Sequence, residues 1–115
     1  MNQRDFELFK RKILEHVTVR PIEGAVRFSG NESLAHFLKK AEVLWRHSGY
    51  VGVAAYTEVK FPKTIADVLV LTDVGTKGIV TVHEILDTEK DTDASMAKKR
   101  TVYEKMGFQF ETSEA

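Results

Sequence analysis

Residues 56–89, YTEVKFPKTIADVLVLTDVGTKGIVTVHEILDTE, decide the fold. This stretch contains three apolar segments of β character, rich in Val, Ile and Tyr. Each segment carries a carboxylate where a strand buried on both faces normally carries Val or Ile: Glu58, Asp67 and Glu84. Burying a carboxylate costs free energy unless something neutralises its charge. Acids on three consecutive strands therefore suggest a metal-binding cluster.

The three segments are predicted to be neighbouring strands. Residues 65–72 form a nearly continuous apolar run, typical of a central strand, and residues 78–86 form the next one. The turn at 73–78 contains two glycines and joins them as a hairpin. Residues 50–61 are the preceding strand, which ends at Pro62.

The hairpin places two of the acids together. Counting outward from the turn, Asp67 and Glu84 fall at the same end of the two strands. Because side chains alternate along a strand, Asp67 is expected to share a face with Leu69 and Leu71. Oxygen ligands without cysteine favour Mg²⁺ or Mn²⁺ over zinc. In the simpler interpretation, Asp67 caps a turn or pairs with a lysine, and Glu84 is a solvated residue near a strand end.

Helical patterns flank the strands. They predict helices at 5–17, with Phe6, Phe9 and Ile13 on one face, at 32–47, capped by Asn31 or Ser29, and at 94–106. An acidic loop at 87–93 precedes the last helix, a short strand at 108–110 follows it, and the tail from Thr112 is expected to fray. The order predicts an α/β fold, a single domain with a mixed central sheet flanked by helices. We divide it into an N-terminal helix and connector (1–30), a core (31–110) and a tail (111–115).

The composition excludes several classes of protein. A chain of 115 residues forms one domain, and its formal net charge of zero gives no global field towards nucleic acid. There is no cysteine for disulfides or thiolate metal sites, no apolar run long enough for a bilayer, and no signal-peptide core. We expect a soluble cytoplasmic protein with no membrane partner.

The motifs ESLAHFLKKAEVLWRHSGY, TEV, ADVLVL and HEI resemble the PD-(D/E)XK nuclease superfamily, the restriction-endonuclease-like fold, and in particular its small archaeal and viral members. The resemblance covers residues 32–89, and AKKRTVYEKMGFQF resembles the helix and strand that follow in that superfamily. It implies an endonuclease that hydrolyses DNA, branched or otherwise structured DNA being one option, with Mg²⁺ or Mn²⁺ as cofactor.

The resemblance also assigns the acids. Asp67 corresponds to the aspartate of the motif and Glu84 to the glutamate of its second half, so both are implied metal ligands. The acid of the long helix is Glu32, with Glu42 as the alternative. Glu58 matches a recurrent acid on the strand before the aspartate.

The chain departs from the pattern at its lysine. Leu86 stands two residues after Glu84, where the family has Lys, and Ala66 replaces the proline before the aspartate. A cation is needed there because charge builds up on the phosphoryl oxygens in the transition state. Lys40, favoured by the resemblance, and Lys60 are candidate replacements, and otherwise the lysine is lost.

Other residues are candidates for contacting DNA. His36 is expected to contact phosphate or assist water activation, or else to be an ordinary half-exposed helical histidine. A basic patch formed by Lys98, Lys99 and Arg100, together with Lys60, is expected to bind the backbone.

Two other functions stay open. One is a catalytically inactive nuclease-fold module that binds nucleic acid or a protein. The other is a protein-interaction domain that makes its contact through the Phe6/Phe9/Ile13 helix. A homodimer is an option for assembly.

Overall fold

The computed structural model describes residues 1–75, 77–87 and 92–115, and their elements follow the predicted order. The helices are α1 (Gln3–Leu14), α2 (Leu34–His47) and α3 (Asp93–Lys105). The strands are β1 (Val53–Lys60), β2 (Ile65–Thr72), β3 (Ile79–Leu86) and β4 (Gln109–Glu114). Position 76 of the predicted turn and positions 88–91 of the predicted acidic loop lie outside the described residues.

The four strands form one mixed sheet in the order β1-β2-β3-β4. The pairs β1–β2 and β2–β3 are antiparallel, whereas β3 and β4 are parallel. A parallel neighbour requires a crossover, and α3 supplies it. The prediction of a single α/β domain with a mixed sheet flanked by helices is confirmed.

The sheet separates two apolar clusters, which we name after the helices that cover them. On the α1/α3 face, side chains of the strands pack with Phe6 of α1 and Tyr103 of α3. On the smaller α2 face they pack with Val43 and Leu44 of α2. The strand residues of the first cluster are Ala54, Tyr56, Val59, Ala66, Leu69, Leu71, Val80 and Val82, and those of the second are Ala55, Val68, Val70 and Ile85.

Helix α1 buries its apolar stripe within its own chain. Phe6 belongs to the α1/α3 cluster, and Phe9 and Ile13 pack against it. Gly78 makes this close approach possible, because a Cβ at that position would lie 2.6 Å from the Phe9 ring. The stripe is therefore a packing face of the fold, and a contact with another protein through it stays a prediction.

Two element boundaries differ from the prediction. The N-cap of α2 is Ser33, whose side chain accepts the N–H of His36 at 3.1 Å, rather than Asn31 or Ser29. Strand β4 continues to Glu114, because residues 112–114 pair with the end of β3, so the expected fraying from Thr112 is wrong.

The connector between α1 and α2 covers the outer edge of β1. Its backbone N–H groups at Thr18 and Gly24 donate to Lys60 O (2.9 Å) and Ala55 O (2.8 Å). The connector thus protects an edge that would otherwise pair with another chain.

Candidate functional site

The regular alternation of side chains is interrupted at the same point in β1 and β2. Tyr56 and Val59 lie in one cluster although they are three residues apart, and so do Ala66 and Leu69. In β1 the interruption coincides with Glu58, the one non-glycine residue with positive φ (51°) among those described. Such a conformation costs free energy and is concentrated at functional sites.

Asp67 lies across from Glu58 and does not share the environment of Leu69 and Leu71. In the β1–β2 register Thr57 pairs with Val68 and Val59 pairs with Ala66. Asp67 is therefore opposite Glu58. Leu69 and Leu71 belong to the α1/α3 cluster, whereas Asp67 Oδ2 lies 3.5 Å from Nε2 of His36 on α2. The expectation of a common face assumed unbroken alternation, which Asp67 interrupts.

Strands β2 and β3 separate beside Asp67. Their ladder ends at the pair Val68–His83, and continuing the register by one residue places Asp67 opposite Glu84. Beyond that point Asp67 Oδ2 accepts the backbone N–H of Ile85 at 2.8 Å, so a side chain replaces a ladder bond. The three acids singled out in the sequence therefore occupy neighbouring positions of three strands at one end of the sheet. The side chain of Asp67 lies beside His36 of α2, whereas that of Glu84 lies beside Lys99 of α3.

Lys40 pairs with Glu58 and with a fourth carboxylate, Glu32. Its side chain is fully buried (0% exposed), and its Nζ lies 2.7 Å from Glu32 Oε1 and 2.9 Å from Glu58 Oε1. Burial alone would raise the pKa of Glu32, but hydrogen bonds from Lys40, the Ser29 N–H and His36 outweigh it and lower that pKa. We call Glu32, Lys40 and Glu58 the buried charge cluster.

His36 connects the buried charge cluster to Asp67. Its Nδ1 lies 2.5 Å from Glu32 Oε1, and its Nε2 faces Asp67 Oδ2. His36 and Lys40 are four residues apart on α2, so their side chains point to the same side of the helix. Both therefore reach Glu32.

Glu84 lies deeper than the other acids. Its side chain is 1% exposed, and its Oε2 is 3.7 Å from Nζ of Lys99 on α3. Burial raises the pKa of Tyr103, the hydrogen bond with Thr64 opposes this, and the charges of Glu84 and Asp67 add to the rise. Both carboxylates therefore act on the same buried phenol.

A cleft of about 260 Å³ opens above these groups. It is lined by Ser29, Asn31, Glu32, Ser33, His36, Glu58, Ile65, Asp67, Ile85, Asp87 and Lys99. Lys40 and Glu84 lie beneath this lining. Asp87 and Asn31 were not predicted as site residues, because a polar residue in a predicted loop or cap has many simpler explanations.

Several predicted residues lie elsewhere. Lys60 is exposed and does not line the cleft. Glu42, the alternative to Glu32, is exposed and contacts Lys39 and Arg46. Glu32 is thus the acid that reaches the site, although it lies two residues before α2 rather than within that helix.

The basic patch is divided by the structure. Only Lys99 of its members lines the cleft, whereas Lys98 is exposed. Arg100 lies over the ring of Phe110 at 5.0 Å and contacts Glu104 at 3.8 Å.

Within the described residues, no group of three or more His, Cys, Asp or Glu side chains is arranged to hold a metal ion. The donor chemistry still fits a hard cation, because Asp67 and Glu84 offer oxygen atoms from neighbouring strands. Mg²⁺ characteristically binds one or two carboxylates and keeps its remaining positions for water and phosphate. Asp67 and Glu84 are the residues that would hold it.

A larger cavity, of about 640 Å³, lies between α1 and the connector. Three of its charged groups pair with one another: Lys10 Nζ lies 2.8 Å from Glu7 and 3.2 Å from Glu23. Tyr56 donates to Glu23 at 3.4 Å. No residue predicted for the site lines this cavity. We therefore place the candidate site at the smaller cleft.

Comparisons with protein-family models, curated proteins and solved structures gave no match to this chain. The function is therefore argued from the site itself. None of the helices in the described part of the chain is long and apolar enough to cross a membrane.

Proposed function

We propose that the chain is a divalent-metal-dependent nuclease of restriction-endonuclease-like fold, which hydrolyses DNA phosphodiester bonds in the 260 Å³ cleft. One observation carries the proposal. Glu58, Asp67 and Glu84 occupy neighbouring positions of three consecutive strands where the β2–β3 ladder ends, and Glu58 has left-handed backbone geometry. Strained and charged positions that converge beside a cleft are characteristic of catalytic sites.

Each group has a chemical role in this proposal. Bound Mg²⁺ supplies a Lewis acid for the phosphate and lowers the pKa of bound water. Asp67, whose Oδ2 accepts the Ile85 N–H, would hold the metal together with Glu84. His36 faces Asp67 across the cleft and is positioned to hold a proton at Nε2.

In this proposal two lysines, Lys40 and Lys99, perform the functions expected of the single lysine of the motif. Lys40 is engaged by Glu32 and Glu58 and fully buried, so it orients carboxylates and does not touch the substrate. Lys99 lines the cleft with its side chain 38% exposed, so its ammonium is available to a phosphate. Lys99 thereby supplies the cation that Leu86 does not.

The test is a cleavage assay on duplex, single-stranded and branched DNA with Mg²⁺ or Mn²⁺, together with calorimetric titration of Mn²⁺. We expect Asp67→Asn to lower the cleavage rate at least about a hundredfold, because metal polarisation contributes several kcal/mol. Glu15→Gln, which removes an exposed carboxylate far from the cleft, is the matched control and should cleave normally. Neither metal binding nor cleavage of any of the three DNAs would reject the proposal.

A second function is favoured by the position of Glu84 beneath the cleft lining and by Leu86. It is a nuclease-fold module that binds DNA without cutting it. In that case the wild type binds DNA but cleaves none of the substrates, and Asp67→Asn binds equally or better because a negative charge is removed. A gel-shift series run beside the cleavage assay separates the two functions.

A further inference from the structure

Helix α2 carries an apolar stripe on the side that faces away from the sheet. Leu34, Leu38 and Trp45 are 72%, 55% and 78% exposed. At 100° per residue these three lie on one side of the helix, opposite the buried Lys40, Val43 and Leu44. Isolated exposed apolar residues are ordinary, but a continuous stripe of large ones indicates a contact surface.

We propose that this stripe, Leu34, Leu38, Ala41 and Trp45, is a homodimer interface in which α2 packs antiparallel against α2 of a second copy. The proposal does not rest on the nuclease function. Unlike the stripe of α1, which packs in the core, this surface is left exposed by the fold.

The spacing of the stripe is self-complementary. With a two-fold axis between positions 40 and 41, Leu34, Leu38, Ala41 and Trp45 lie at about −10, −4, +1 and +7 Å along the helix axis. The second copy presents the same residues at about +10, +4, −1 and −7 Å. Trp45 of each copy then fits between Leu34 and Leu38 of the other, and the small Ala41 side chains meet at the axis.

The charges beside the stripe are also self-complementary. Lys39 and Glu42 lie on the same flank, at equal distances on either side of that axis, and Glu42 is about half exposed. In an isologous dimer a residue pair across the interface occurs twice. Lys39 of each copy therefore lies beside Glu42 of the other, which makes two opposite-charge contacts.

The area agrees with a weak dimer. The stripe continues into Phe28, which is 68% exposed and packs on Phe37 of α2 with ring centroids 6.0 Å apart. These side chains present roughly 500 Å² of apolar surface per copy, or roughly 1,000 Å² per dimer, the lower limit for a specific interface. We expect a dissociation constant in the micromolar range.

The first test is sedimentation velocity over about 1–300 µM, a range chosen around the expected affinity. The fluorescence of Trp45, the single tryptophan of the chain, should shift to the blue as the dimer forms. Leu38→Glu should raise the dissociation constant at least about thirtyfold. Leu8→Glu is the matched control, because Leu8 is 50% exposed on α1, and it should dimerise like the wild type. Circular dichroism confirms that both variants fold.

The second test uses charge. Lys39→Glu and Glu42→Lys should each weaken the homodimer about tenfold, because like charges then face each other twice. Mixed in equal amounts, the two variants should form a heterodimer with wild-type affinity. The ion pair between positions 39 and 42 within each chain stays broken in this mixture.

Three results would overturn the proposal. They are a monomer throughout the concentration range, equal effects of Leu38→Glu and Leu8→Glu, or a mixture of the charge variants that associates no better than either alone. Quenching of Trp45 by a single-stranded oligonucleotide while the protein stays monomeric would assign the stripe to DNA, and would also overturn it.

Discussion

The two faces of the sheet differ in what they bury. The α1/α3 cluster is apolar apart from the tyrosine hydroxyls, and Tyr103 directs its hydroxyl to Thr64 at 3.1 Å. The α2 face covers a smaller apolar cluster and adds Lys40 and His83, both buried, and the almost fully buried side chain of Glu32. The same sheet thus has one face that resembles an ordinary core, except where Glu84 lies beside Lys99 of α3, and one face that is rich in buried charge.

The difference indicates which face is built for stability. Apolar burial stabilises a fold in proportion to its area. A buried ion pair often contributes no more than apolar residues of the same volume would, because desolvation offsets the attraction between the charges. The buried charge cluster is therefore better explained by the geometry it gives Glu58 and the cleft than by the stability of the fold.

The largest effect is expected from Lys40→Ala. It leaves Glu32 and Glu58 beside each other without their shared cation, and removing one partner of a buried pair typically costs about 3–5 kcal/mol. Chemical denaturation should show that loss in the free energy of unfolding. Lys39→Ala removes the neighbouring, surface cation and should cost less than about 1 kcal/mol.

Leu71→Ala tests the contribution of the α1/α3 cluster to stability. It should destabilise by about 2–5 kcal/mol, because a fully buried side chain leaves a cavity, yet leave cleavage unchanged at temperatures where the variant is folded. A Lys40→Ala protein as stable as Lys39→Ala would show that the buried charge cluster is solvated, and the contrast between the faces would fail.

A smaller difference in stability is expected between two substitutions of Glu58. Both Glu58→Gly and Glu58→Ala remove the carboxylate that contacts Lys40, so they differ mainly in backbone preference. At φ 51° glycine avoids a cost of about 1–2 kcal/mol that alanine bears. Glu58→Gly should therefore be the more stable variant by thermal denaturation.

At a regular strand position the glycine variant is less stable than the alanine variant. The expected order of stability at Glu58 is the reverse. Thr57, the preceding residue of β1, provides the comparison, because it lies in the regular part of the ladder. If alanine is the better residue at position 58 as well, the backbone there is not left-handed in solution.

Much of the fold was predictable because apolar periodicity is a local signal. The predicted bounds of β2 agree with the structure, since its apolar run ends in polar residues on both sides. The end of β4 was not predictable in this way. Its residues, Glu111 to Glu114, are polar, and they form a strand only because β3 provides a partner.

The site was predictable in composition but not in detail. Glu58, Asp67 and Glu84 stand out because acids interrupt apolar strands, and their convergence follows from the hairpin. The left-handed conformation of Glu58 has no local signal in the sequence. Of the two candidate lysines, Lys40 lies beside the acids and Lys60 does not line the cleft, while Lys99 is a further cation there.

The smallest effect expected is the pH dependence of the two faces. Burial lowers the pKa of His83 on the α2 face; the attraction of Glu111 opposes this, and the charges of His47 and Arg46 add to it. The folded protein thus holds His83 neutral, whereas the unfolded chain takes up a proton near pH 6.5. The stability contributed by neutral His83 is complete above pH 6.5 and is lost as the pH falls from there through the lowered folded pKa.

Denaturation at successive pH values between 8 and 5 tests this contribution. One extra proton bound by the unfolded chain gives a slope of at most about 1.4 kcal/mol per pH unit. His83→Gln should remove this slope, and His16→Gln, an exposed histidine, should keep it. Tyr103 on the α1/α3 face has a raised pKa, so that face loses stability only in alkali, as the pH rises above the unfolded value near 10. The wild-type free energy of unfolding could instead be constant from pH 8 to 5. His83 would then take up its proton at the same pH in the folded and unfolded states, and the acid sensitivity would not belong to the α2 face.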